Sequence, residues 1–251
     1  MRRSNNRRFL LFFHLFTLLC IAKAEPQNTT TAPPDTNLAQ VKTLITQMRT
    51  PMRSVPLNIV VEALTGHKVL PFNPGNPNHA EVLRRLNAAA ATVAAKIKTA
   101  GGINSKRVNE VGNTIEQYVR DAMTAQGLPA RVPTGEKTGK ARATGYPDIA
   151  FTYNGEHYYL DCKTHDKTTA ASTMRTFYLS PSDDPKITRD AVHLILSYET
   201  TRAGDTYQLT RYKIVSLEKL SLDLKYEFNS DNRRMYSGKN GADLLADAPC
   251  K

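Results

Sequence analysis

The stretch GYPDIAFTYNGEHYYLDCKT, residues 145 to 164, constrains the fold more than any other part of the chain. Asn154-Gly155 is the preferred pair for a two-residue type I′ turn, whose twist suits two antiparallel strands. With those residues as the loop, Tyr153 pairs with Glu156, and each step outward carries the register on until Asp148 stands opposite Asp161. Side chains alternate along a strand. Asp148, Asp161 and Lys163 therefore share one face, while Ile149, Phe151, Tyr158, Leu160 and Cys162 take the other. One register satisfies the apolar pattern and also gathers two carboxyls and an amine.

Carboxylates facing each other about 5 Å apart across two strands repel, so something must offset that repulsion. The residues alone leave two readings open. In the first, Asp148 is a turn residue after Pro147, and Asp161 and Lys163 are exposed charges on a sheet edge. In the second, the carboxyls hold a hard divalent cation. Mg²⁺ fits, because it takes one or two carboxylates and completes its shell with water and phosphate oxygens. Such an ion polarises a phosphodiester and lowers the pKa of a bound water. Lys163 would then orient the attacking water and stabilise charge developing on phosphorus. No Cys or His spacing suggests a zinc site.

The elements around this hairpin follow from hydrophobic period. Residues 38 to 49 read as a short helix, and the Pro, Asn and Gly of 71 to 78 as a loop. Ala80 to Thr99 has Val82, Leu83, Leu86, Val93 and Ile97 on one side, a helix that Gly101-Gly102 stops. A second helix runs from about Ser105 to Gln126 with Val108, Val111, Ile115, Val119 and Ala122 as its core stripe. AVHLILSY, 191 to 198, is a continuous apolar run of the kind central strands show, and Tyr207 to Val215 is its antiparallel neighbour. Leu220, Leu222, Leu224, Tyr226 and Phe228 alternate as one more half-buried strand. Helices followed by strands imply an α/β or α+β domain with a mixed sheet covered by helices.

The first 24 residues stand apart. Arg2, Arg3, Arg7 and Arg8 precede an apolar run from Phe9 to Ala22 and a small-x-small end at Ala22-Lys23-Ala24, the pattern of a secretory signal peptide. Cleavage after Ala24 would leave a secreted or periplasmic chain; a wrongly assigned start codon would leave it cytoplasmic. The run is short for a membrane span, so the mature chain is not expected to insert stably. Residues 25–40 read as a flexible linker, Pro- and Thr-rich at first, and 41–251 as one domain. Without the leader's four arginines and one lysine the formal charge falls from +11 to +6, a balance suited to a polyanion or to solubility. Cys20 lies in the leader. Cys162 alternates inward as a buried apolar residue, which leaves Cys250.

Pro147-Asp148, a short interval and Asp161-Cys162-Lys163 together resemble the PD-(D/E)xK nuclease superfamily, to which many type II restriction endonucleases belong. Asn109-Glu110-Val111-Gly112-Asn113-Thr114-Ile115-Glu116 is similar to the N-x-x-G-N-x-x-E helix that precedes the catalytic hairpin in several restriction-enzyme families. The likeness covers roughly residues 100 to 236, including the tail KYEFNSDNRRMYSG. It implies a restriction-endonuclease-like α/β fold, a central mixed β-sheet flanked by helices, acting on double-stranded DNA as a homodimer. The implied catalytic residues are Asp148, Asp161, Lys163 and Glu116, with Asp148, Asp161 and Glu116 as Mg²⁺ ligands. On a helical wheel Asn109, Gly112, Asn113, Glu116 and Arg120 border the apolar stripe, whereas Glu110 points away, so Glu116 is the better match for the helix-borne acid. Gly112 would mark a close approach of DNA or of the sheet.

The leader departs from such enzymes' usual cytoplasmic setting. Two other readings stay open: a catalytically inactive DNA-binding module of the same fold, and an exported protein-binding domain. Among further polar residues, His165 reads as a strand-end side chain or a phosphate contact. Gly135, Lys137, Gly139, Lys140 and Arg142 read as a flexible basic loop. Arg175, Lys186, Arg189, Arg233 and Arg234 are unranked candidates for DNA contact.

Overall fold

The computed structural model describes residues 38–105, 108–169, 171–173, 176–236, 241–243 and 245–249. The leader, the linker up to residue 37, Arg175 and Cys250 lie outside them, as do the side chains of Asn109, Glu110 and Asn113. The chain divides into two compact units, residues 1–47 and 48–251. Most of the first helix, α1 (Leu38–Met48), belongs to the former.

The second unit holds the rest. In order they are β1 (Met52–Pro56), α2 (Leu57–Thr65), β2 (Val69–Leu70), α3 (Pro77–Thr99), β3 (Ile103–Asn104), α4 (Val108–Ala125) and β4 (Ile149–Tyr153). After these come β5 (Glu156–Asp166), β6 (Ala191–Ala203), β7 (Thr206–Ser216), β8 (Ser221–Leu224) and α5 (Asn232–Tyr236). Helix α3 starts where the Asn76 side chain accepts the Asn78 amide at 2.8 Å, with Pro77 inside the first turn. It stops at Gly101 and Gly102, whose φ values of 80° and 104° suit only glycine. The main sheet runs β3-β7-β6-β5-β4, with β2 also paired to β6. It is mixed: β5 and β6 are parallel, while β4/β5, β6/β7 and β3/β7 are antiparallel. This is the expected α/β architecture with helices flanking a mixed sheet.

One face of the sheet is covered by α3 and α4. Val82, Leu86 and Val93 meet Val111, Ile115 and Val119 over Phe151, Tyr158, Leu160, Cys162, Leu196 and Tyr198. The other face, which carries Asp161 and Lys163, is covered as well. Leu57 and Val61 of α2, Leu217, and Ile187 of the 167–190 crossover cover Ala150, Tyr159 and Ala191. Pairing with β6 makes β5 an interior strand, and an interior strand is buried on both sides. Among its described residues the crossover has a 3-10 turn at Lys167–Thr169 and no α-helix, where parallel strands are usually joined by a helix.

A correction concerns residues 220 to 228. Only Ser221–Leu224 form a strand, and it pairs with β1 outside the main sheet. Tyr226 and Phe228 remain 45% and 73% exposed, because β1 ends at Met52 and gives no ladder to continue on.

The hairpin has the register that its turn dictates, from Tyr153↔Glu156 to Ile149↔Leu160. Asn154 and Gly155 both take positive φ, 47° and 80°, as a type I′ turn requires. Its tip is tied to the start of α3. Buried His79 accepts the Asn73 amide at Nδ1 and meets Glu156 at Nε2, 2.9 Å away, while Tyr158 donates to Glu156 Oε2 at 2.5 Å. Asn154 Nδ2 donates to Asn78 Oδ1 at 2.9 Å. Glu156→Ala strands the His79 and Tyr158 donors and should lower stability by about 1–3 kcal/mol, as measured by urea unfolding. An unchanged midpoint would show that this tie does not hold the hairpin.

Candidate active site

Asp161 sits in the middle of β5 and is 1% exposed, which removes the reading of Asp161 as a sheet-edge charge. Lys163, two residues on along the same face, brings its Nζ to 2.6 Å from Asp161 Oδ2. That oxygen makes an ion pair but receives no hydrogen bond of good angle. Asp148 lies one residue outside the ladder. Its Oδ2 accepts the Cys162 amide at 2.8 Å, so the carboxyl curls over the mouth of the hairpin. The Asp148 carboxyl is near enough for its charge to raise the pKa of Asp161.

Glu116 comes from α4. Gly112, one turn earlier, faces Thr164 of β5, where an added Cβ would stand 3.8 Å from its hydroxyl. That is ordinary contact, so packing against the sheet does not by itself require glycine at 112. Glu116 is half-buried and lies 3.8 Å from Arg120, the i,i+4 partner on the same border of the helix. The structure thus brings all four expected residues into one electrostatic neighbourhood. Among the described residues, however, no three His, Cys, Asp or Glu side chains close into a cage ready for a metal.

The electrostatics follow from burial. Desolvation, then the Asp148 charge, pushes Glu116 up to about 7, although Arg120, Lys163 and Lys186 pull the other way. Desolvation and then the Asp148 charge likewise raise Asp161 to about 7, against the pull of Lys163. Burial opposes the Lys163 ammonium, but Asp161 and Asp148 outweigh it and hold this amine above its ordinary value. A buried acid pair that retains protons near neutrality is a donor set that a hard cation fits, since the cation can replace the protons. Asp148 and Asp161 would hold Mg²⁺, with Glu116 as a further ligand, direct or through water.

Several other expectations change. Lys186 is 5% exposed and cannot reach DNA. The 135–142 loop is not loose: Asp184 accepts the Lys137 amide at 2.7 Å and the Thr138 hydroxyl at 2.7 Å. A Cβ at Gly135 would run into the same carboxylate. Arg142 donates to the Asp184 carbonyl at 2.5 Å. His165 turns inward, its Nδ1 3.0 Å from Ser197 Oγ and its Nε2 buried, which excludes a phosphate contact through that nitrogen. Sequence reasoning missed Tyr146, whose hydroxyl lies 2.6 Å from His193 Nδ1 beneath the site. No periodicity marks that pair.

A mixed sheet between helices, with acids and a lysine at the mouth of its first hairpin, is the layout of restriction-endonuclease-like proteins. The chain belongs to the type II restriction enzyme MjaV family: the family model matches residues 50–239. It is 35% identical over 212 residues to the type II restriction enzyme MjaV of Methanocaldococcus jannaschii, covering 78% of this chain and 91% of that protein.

The raised carboxyls set a pH dependence. In the folded, metal-free chain Glu116 and Asp161 keep protons that the unfolded chain releases near pH 4. The folded state therefore binds more protons between about pH 4 and 7, and its stability falls as pH rises through that window. Thermal melts in chelator should show this decline, and saturating Mn²⁺ should flatten it. A metal-independent slope would show that the ion does not engage these acids.

Proposed function

We propose that this chain is a Mg²⁺-dependent endonuclease that hydrolyses phosphodiester bonds of double-stranded DNA. The reading is carried by the Asp161–Lys163 pair at 2.6 Å on an interior strand, beside the Asp148 carboxyl. Family membership supports the substrate and the reaction class. When bound, the ion supplies Lewis acidity at the phosphate and acidifies a coordinated water. Asp148 and Asp161 would hold the ion, with Glu116 as a further ligand, direct or through water. Lys163, kept protonated by its neighbours, positions the attacking water and offsets the charge that grows on the phosphoryl oxygens. Asp148 is itself oriented by the Cys162 amide.

A homodimer would give each strand of the duplex its own site. No described helix is long and apolar enough to cross a membrane. The first 24 residues, with their basic start, apolar run and Ala-Lys-Ala end, support export of the mature enzyme.

Incubation of the protein with plasmid and Mg²⁺ should give discrete fragments. Asp161→Ala and Lys163→Ala should each lower turnover by at least about 10²-fold while keeping a cooperative melt. Duplex binding with no cutting at any Mg²⁺ concentration would favour a non-catalytic module instead. Intact mass of protein expressed with its own leader should correspond to a start at Glu25. Retention of Met1 to Ala24 would return the chain to the cytoplasm.

A further inference from the structure

Lys186 has an environment that the acids, Lys163 and the family assignment leave unexplained. It is a nearly fully buried lysine in the irregular crossover between the two parallel strands, and among the described residues no carboxylate hydrogen-bonds to it. Its Nζ donates instead to two main-chain carbonyls, Arg142 O at 3.3 Å and Gly145 O at short range. An ammonium taken out of water is costly unless its surroundings compensate. Here burial outweighs the pull of Asp148, Asp161 and Glu116 and holds this amine below its ordinary value, while the two carbonyls accept its protons.

The segment it holds leads directly into the site. Gly145 is three residues before Asp148, and Pro147 stiffens the interval. Tyr146, between them, is fixed at its hydroxyl by buried His193 of β6. Arg142, at the start of the segment, is fixed by the Asp184 carbonyl. Asp148 itself lies outside the β4/β5 ladder, so strand pairing does not determine where its carboxyl sits. The Cys162 amide holds the carboxyl, the approach from Arg142 to Pro147 brings the residue within reach of that bond, and Lys186 ties the approach to the crossover.

We propose that Lys186 is a positioning residue of the nuclease, which fixes the Asp148 carboxyl for metal binding by clamping the Arg142–Gly145 carbonyls. It acts through the main chain, without touching DNA or the reacting atoms. The inference rests on the endonuclease reading above, but its test does not depend on cleavage alone.

Lys186→Met keeps the volume and removes the donors. Calorimetric titration with Mn²⁺ should show affinity at least about 10-fold weaker than wild type, the scale of lost outer-shell support. In plasmid cleavage kcat should fall about 10–100-fold, and half-maximal rate should need correspondingly more Mg²⁺. KM for the duplex and its salt dependence should stay within about 2-fold of wild type. Unchanged Mn²⁺ affinity would overturn the proposal. So would a raised KM with a salt slope reduced by about one, the mark of a direct phosphate contact. If Lys186→Met does not fold, Lys186→Gln, which keeps an amide donor group but no charge, is read by the same criteria. Wild type that binds Mn²⁺ but does not cut would count against the endonuclease reading, and the Mn²⁺ titration would still decide the role of Lys186.

Discussion

A carboxyl on an interior strand is the constraint that the rest of this site answers to. Parallel pairing with β6 removes Asp161 from water, and an ionised carboxylate in such a place costs several kcal/mol unless it is paired. Each neighbour bears on that problem. Lys163 provides the counter-charge at contact distance, Asp148 aggravates it, and Glu116 adds a third acid that Arg120 partly offsets. Because the metal-free balance is incomplete, Asp161 and Glu116 hold their protons to higher pH than ordinary carboxyls. An interior position makes Asp161 costly as a structural residue, and that cost is what the proposed metal site would offset.

The two covers of the sheet differ in kind. On one side α3 and α4 present a regular apolar layer. On the other, α2 shares the work with an irregular crossover whose conformation is held by individual polar ties, among them Asp184 to the 137–138 amides and Thr188 to the Tyr159 hydroxyl. The regular side fixes Glu116 by helix packing, and the irregular side fixes the approach to Asp148 by hydrogen bonds. The two halves of the acid set are thus held by different physics.

The hairpin was legible because its information is local: an Asn-Gly turn and an alternating pattern determine a register without help from elsewhere. The long helices and the β6/β7 pair were legible for the same reason, since apolar period reports burial. Glu116 could be preferred to Glu110 because it borders the stripe. What escaped depends on partners distant in sequence. Nothing in Gly135 to Arg142 shows that Asp184 will gather the loop, so a basic, glycine-containing segment read as flexible. Lys186 read as a candidate DNA contact because its two acceptors are carbonyls, which leave no trace in side-chain pattern. The alternation of residues 220 to 228 was real, but a strand extends only as far as its partner, and β1 is short.

The bond from the Cys162 amide to Asp148 has a use of its own. It couples one backbone proton, on a single strand, to the carboxyl that stands outside the ladder. The chemical shift of that proton is therefore a built-in spectroscopic gauge of where the carboxyl points and what it holds, readable in solution without substrate and without altering any residue.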